Sequence, residues 1–151
     1  MFQERISIEE VEEGTNLAPK FDANGLIPVV TSDGTTGELL MHGYMNHEAL
    51  EKTILTGQMH YFSRSRKVIW HKGATSGFYQ NVEELLIDDD QDTIWAKVTV
   101  MGGASCHVGY RSCFYRKIIS NEDNIQLEFT DTEKVFDPDE VYGDAPNPTK
   151  L

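Results

Sequence analysis

The stretch TIWAKVTV, residues 93–100, alternates without a break: Ile94, Ala96, Val98 and Val100 fall on one side, Trp95, Lys97 and Thr99 on the other. A period of two marks a half-buried strand, because successive side chains of an extended chain point to opposite faces. Working outward, FYQNVEELLI reads as a longer strand, and MHYFSRS and VIWHKG as two strands joined by a basic turn. GLIPVVTSDGTTGELLMHGYM is two strands around SDGTTG, whose Gly and Asp residues suit a hairpin. SCFYRKII and IQLEF are further strands. One segment breaks the pattern. MNHEALEKTILTGQ predicts a short helix near 46–56, capped by Asn46, stapled by Met45 on Leu50 and ended by Gly57. Leu50 and Ile54, with Ala49 beside them, are its expected apolar face. The expected class is therefore mainly β, a β-rich α+β domain with one helix.

At 151 residues the chain has the length of a single domain, 1–151, with an ordinary share of apolar residues (39%) and charged residues (25%). Residues 1–20 form an acidic segment, and the tail 130–151, which contains three prolines, is expected to be extended. The N-terminus lacks an apolar stretch flanked by basic residues, and no run approaches the length of a membrane span, so no membrane contact and a cytoplasmic setting are expected. Two cysteines are too few for a disulfide scaffold and point instead to metal or redox chemistry. A net charge of -12 argues against nucleic acid as a partner. Two basic islands remain, Arg64, Arg66, Lys67 and Lys72 in one, Arg111, Arg116 and Lys117 in the other, and they suit a small anionic ligand.

Three constellations carry chemistry. In LLIDDDQDTIW, residues 85–95, four carboxylates occupy five positions and repel one another unless a cation sits among them. Asp88, Asp90 and Asp92 alternate, so in an extended segment they share a face and offer oxygens to a hard cation such as magnesium. An EF-hand is excluded, because its sixth and twelfth positions would be Thr93 and Thr99; a solvated acidic turn is the other reading. In GGASCHVGYRSCFYR, Cys106 and Cys113 stand seven apart with His107 beside the first. Thiolates and imidazole suit zinc, which with so few ligands would keep an open position for water; two inert buried cysteines are the alternative. In YFSRSRKVIWHKGATSGF, hydroxyls, guanidinium groups and glycine amides are able to converge on phosphate, or else form a plain charged hairpin. His71 sits in suggestive company there, whereas His42, His47 and His60 read as structural or exposed.

Taken in order from about Gly37 to Lys117, GELLMHGYMNHEAL, TGQMHYFSRSRKVIWHKGATSG, the acidic run and SCHVGYRSCFYR resemble phosphoribosyl-AMP cyclohydrolase, the histidine-pathway enzyme that opens an adenine ring. The resemblance implies a partly open, barrel-like antiparallel sheet built into a tight homodimer. It implies magnesium on Asp88, Asp90 and Asp92, and zinc on Cys106 and Cys113, with the third zinc ligand supplied across the dimer interface. The family's usual motif there is Asp-Cys-Asp-x-Asp; in this sequence Asp89 stands where that cysteine falls, and zinc accepts a carboxylate oxygen. The substrate would be a nucleotide, bound by Ser63, Arg64, Ser65, Arg66, Trp70, His71, Lys72, Gly73, Thr75, Ser76 and Arg111, with His107 moving a proton.

The reaction so implied is hydrolysis of 1-(5-phosphoribosyl)-AMP between N1 and C6 by a zinc-activated water. The family's frequent fused pyrophosphohydrolase does not fit into the 34 residues after Lys117. A nucleobase deaminase also uses zinc on a purine carbon, but its His/Cys-x-Glu and Pro-Cys-x-x-Cys patterns do not occur here. The non-enzymatic alternative is a silent metal-dependent dimer module that lost activity when Asp89 replaced the cysteine.

Overall fold

The computed structural model describes residues 1–151. In chain order its elements are α1 (Ile8–Glu13), β1 (Ile27–Asp33), β2 (Leu39–Met45), α2 (His47–Thr56), β3 (His60–Ser63), β4 (Val68–His71), β5 (Gln80–Ile87), β6 (Ile94–Val100), β7 (Arg116–Asn121), β8 (Asn124–Phe129) and α3 (Pro138–Tyr142). The central sheet has the order β2-β1-β6-β5, and the hairpins β3-β4 and β7-β8 form two further sheets. The mainly β expectation holds.

The alternation in β6 does what it predicts. Ile94, Ala96 and Val98 are buried against β1's Ile27 and Val29 and β2's Leu40 and Met45, while Trp95 and Thr99 face outward. The sheets are open, and the fully antiparallel arrangement fails at its centre: β1 and β6 run parallel, with Val29 opposite Ile94 and Asp33 opposite Val98. Alternation fixes which face a residue occupies but says nothing about strand direction. The antiparallel pairs β1-β2 and β5-β6 lie side by side along β1 and β6, merging their two apolar faces into one.

α2 begins and ends as expected. Asn46 accepts a hydrogen bond from Ala49 N at 2.9 Å, Gly57 ends the helix in the left-handed region (φ 69°), and Met45 and Leu50 share the core. Its buried face differs, because Thr53 replaces Ile54. The Thr53 hydroxyl donates to Ala49 O at 2.8 Å and accepts from His60 N at 2.9 Å, so a buried polar group is fully satisfied and Ile54 turns outward. Two helices were not expected. α1 has six residues and α3 five, too short to show a helical period; α3, capped by Asp137, corrects the reading of the tail as wholly extended. The strand expected over SCFYRKII begins only at Arg116, leaving Cys113 in the preceding loop.

A polar chain crosses the core. The buried Tyr61 hydroxyl lies 2.7 Å from Thr31 Oγ1 and donates to Gln80 Oε1 at 2.7 Å; Gln80 Nε2 in turn donates to Ser105 Oγ at 3.0 Å. Tyr61→Phe strands buried Gln80 and Thr31 oxygens, and urea unfolding is expected to show a loss of about 1–3 kcal/mol. A change below 0.5 kcal/mol would mean that the chain re-pairs without the phenol.

His60 supplies a pH dependence. Its ring is stacked on His71 with centroids 4.2 Å apart, and burial, aided by the charges of His71 and Lys52, holds its pKa below the ordinary 6.5 against an opposing bond to Gln58 O. The unfolded chain therefore takes up the proton first, so stability present above about pH 6.5 falls as the pH drops below it. His60→Gln is expected to flatten that acid limb, read as the difference in urea midpoint between pH 7.5 and 5.5.

Candidate functional site

The loop Ala104–Cys113 is folded back so that its two cysteines meet. Cys106 N donates to Tyr110 O at 3.2 Å and Ser105 N to Arg111 O at 2.9 Å; Cys113 N donates to Leu40 O at 2.7 Å and Ser112 Oγ to Leu39 O at 2.6 Å. The loop is thereby pinned to the start of β2. The Cys113 thiol hydrogen-bonds to Cys106, and this bond, with Val108 N–H, the charge of Lys72 and Tyr110 N–H, holds Cys106 down to about 6 against the opposing effect of burial. The same bond pushes Cys113 up. Cys113 is exposed as a residue and Cys106 buried.

Lys72 follows β4 and is buried, 2% exposed. Its Nζ donates to Ser105 O at 2.6 Å and lies 4.9 Å from the Trp70 ring; burial pushes its pKa down, while the cysteines oppose the shift. His107 is half-buried. Burial and Lys72 keep its imidazole below the usual value, against a bond with Asn147. The turn after Lys72 requires Gly73: its φ is 98°, and a Cβ would lie 2.4 Å from Tyr79 N. Thr75 is exposed beyond it, and Ser76 Oγ accepts from Phe78 N at 3.1 Å. His71 Nε2 lies 2.8 Å from Gln58 Oε1.

Other expected ligands lie elsewhere. Ser63, Arg64, Ser65 and Arg66 occupy the opposite end of the β3-β4 hairpin from Lys72, about 13 Å away over four-residue strands at about 3.3 Å per residue. Arg64 stacks 4.2 Å over Tyr44, and Arg66 turns back onto Ser63 Oγ at 3.3 Å. Arg111 is engaged by acids, Asp33 at 2.7 Å and Glu38 at 2.5 Å, and so latches the cysteine loop to the β1-β2 turn. A single anion in one chain does not meet all of these groups.

The acidic run is a turn, not an extended face. Asp88 Oδ1 accepts from Asp92 N and Thr93 N, both at 2.9 Å, and Gln91 adopts a left-handed φ of 57°. The oxygens brought within 4.8 Å of one another are consequently those of Asp88, Asp89 and Asp90, while Asp92 turns to the Thr93 hydroxyl at 3.1 Å. Gln91, the one uncharged member, points inward. Its Oε1 accepts from Ala18 N at 2.8 Å, its Nε2 donates to Val11 O at 3.0 Å and Asn16 O at 3.2 Å, and its carbonyl accepts from Lys20 N at 2.7 Å. Arg5 joins them by donating to Ala18 O at 2.7 Å and Asp90 O at 2.9 Å. The N-terminal segment is therefore the platform beneath the turn. Gln91, Ser105 and Asn147 were not singled out from sequence; only Gln91 leaves a trace there, as a neutral residue where acids surround it.

The acids and the cysteines lie at opposite ends of β5 and β6. Ser105 bonds to Gln80 where β5 begins, whereas the acidic turn follows Ile87 where it ends, eight residues on, about 26 Å at about 3.3 Å per residue. Asp89 of one chain does not reach Cys106 and Cys113 of the same chain.

The residues around this loop have close counterparts in known proteins. The phosphoribosyl-AMP cyclohydrolase family model matches residues 41–115. A phosphoribosyl-AMP cyclohydrolase of Rhodopseudomonas palustris (strain TIE-1) is 52% identical over 139 residues, which cover 91% of this chain and 92% of that protein. One of Bradyrhizobium diazoefficiens is 51% identical over 133 residues (88% and 94%), and one of Rhizobium etli 52% over 134 residues (88% and 89%). With half of its residues shared along nearly the whole length of proteins so named, the chain belongs to the phosphoribosyl-AMP cyclohydrolase family.

Proposed function

We propose that this chain catalyses the metal-dependent hydrolysis of 1-(5-phosphoribosyl)-AMP, opening the adenine ring between N1 and C6 as a step of histidine biosynthesis in the cytoplasm. The observation that carries the reading is the loop that brings Cys106 and Cys113 together beside the buried Lys72, with a half-buried histidine next to Cys106.

The donor set fits zinc: two neighbouring cysteine sulfur atoms would hold it, with a carboxylate as third ligand. When bound, zinc supplies a Lewis acid and lowers the pKa of water toward about 7. His107, whose pKa burial lowers, accepts a proton at a ring nitrogen and returns it to the departing N1. The acidic turn suits magnesium, with Asp88 and Asp90 in the cluster and Asp92 on its flank. The hydroxyls and guanidinium groups of Ser63, Arg64, Ser65 and Arg66, and the Thr75 and Ser76 hydroxyls at the other end, bind the phosphoribosyl groups. Lys72, buried against Ser105, steadies the cysteine loop and supplies positive charge beside it.

The active unit in this reading is a homodimer in which Asp89 of one copy completes the zinc site of the other. Two observations support it. The span of about 26 Å between acids and cysteines keeps Asp89 from the cysteines of its own chain, which favours a ligand from a second chain. The β7-β8 hairpin also pairs only with itself and leaves Ile118 77%, Ile125 74% and Leu127 51% exposed, an apolar surface suited to a copy of this chain.

The test is ultraviolet detection of ring opening by protein purified without chelator. Turnover that disappears on chelation and returns with zinc and magnesium is the expected result. No turnover with any divalent metal, from a folded dimer, would sink the reading.

A further inference from the structure

We infer that the C-terminal segment, residues 130–147, is a wall of the substrate site, and that Phe136 is the positioning residue that docks it. The inference rests on the proposed function and adds to it a part of the chain that lies beyond the family model's residues 41–115.

The segment does not pack on the core. None of the twelve residues of the buried cluster lies beyond Val98. It is instead applied to the two loops on which the proposed chemistry depends. Val135 N donates to Gly109 O at 2.7 Å, in the loop that carries Cys106 and His107. The Phe136 ring lies 4.8 Å from that of Phe78, at the end of the turn that carries Thr75 and Ser76.

The approach is close enough to need glycine. Gly109 has φ 107°, and a Cβ there would lie 2.6 Å from Phe136 O; at Gly102 a Cβ would run into the Phe78 ring on which Phe136 rests. Beyond this anchor the segment continues into α3, Pro138–Tyr142. One segment thus holds the turn that carries the proposed phosphate-binding hydroxyls and the loop that carries the proposed proton carrier against the same support. With the anchor gone, the two loops lose their fixed separation, and substrate that must touch both binds less well.

Phe136→Ala is expected to raise KM for phosphoribosyl-AMP about tenfold, the scale of one lost aromatic pair. kcat should fall much less, and zinc content and the thermal midpoint should stay near wild type because the core is untouched. Phe136→Tyr should restore KM. In metal-free protein, Ellman's reagent should label Cys106 faster in Phe136→Ala than in wild type. A wild-type KM together with a wild-type labelling rate would overturn the inference while leaving the proposed function standing. A parallel fall in kcat, zinc content and thermal midpoint would also overturn it, by making Phe136 a mere support of the fold. Absence of turnover from the wild-type chain itself overturns both.

Discussion

Replacing Cys106 by Ala is expected to empty the chain of zinc and to lower turnover at least about a thousandfold, or about 4 kcal/mol of activation free energy. Three features make this the largest single-residue effect. The bond to Cys113, with the charge of Lys72 nearby, lowers the pKa of Cys106, so this ligand gives up its proton to a metal more readily than an ordinary thiol. It is buried on a loop held at Leu39, Leu40 and Tyr110, so no neighbouring side chain swings in to replace it. Its removal also withdraws the acceptor of the Cys113 thiol bond and leaves the buried ammonium of Lys72 beside a neutral methyl group. Zinc by elemental analysis and turnover by absorbance are to be measured on the same preparation. Undiminished turnover with zinc lost would sever the metal from the reaction.

The second large effect comes from mixing. Asp89→Ala and Cys113→Ser should each be inactive alone, yet unfolding and refolding them together in equal amounts should restore about a quarter of wild-type turnover, because half of the random dimers carry one intact site out of two. The expectation follows from the strands themselves. Eight residues of β5 hold the acidic turn and the cysteine loop too far apart for one chain to use both. A site built within a single chain would give no recovery. Asp89 is the sharper choice of partner variant because it also tests whether a carboxylate can stand in the position of a thiolate: a fully active Asp89→Ala would remove it from the metal and leave His107 or water as the third ligand.

Local rules made much of the fold legible. β6, the β1-β2 hairpin and α2 were readable because each is governed by neighbours a few residues away: alternation, a Gly-Asp turn, a capping Asn and a terminal Gly. The parallel pairing of β1 with β6 was not, because strand direction depends on where the intervening chain travels. Ile54 and Thr53 exchanged roles because a hydroxyl that meets both Ala49 O and His60 N outcompetes a larger apolar side chain at that spot. The candidate site divides in the same way. The cysteines and acids announce themselves by residue type, but their grouping into Asp88–Asp89–Asp90 rather than an alternating face depends on one left-handed residue, Gln91, whose partners lie in the N-terminal segment. Arg111 looked like an anion ligand from its charge; Asp33 and Glu38, more than seventy residues earlier, take it up.

The platform formed by residues 1–20 bears on synthesis as well. These residues leave the ribosome well before their partners, because the hydrogen bonds that fasten them reach 73, 80 and 85 positions ahead, to Asp90 and Gln91. At about 5–20 residues per second residues 1–20 wait about 4–17 s for their partners. Throughout that interval Val11 and Ala18, buried in the finished protein, have nothing to cover them. The growing chain thus presents an adhesive segment before its own acidic turn exists to retire it, and slowing translation between residues 20 and 91 would lengthen the exposure in proportion.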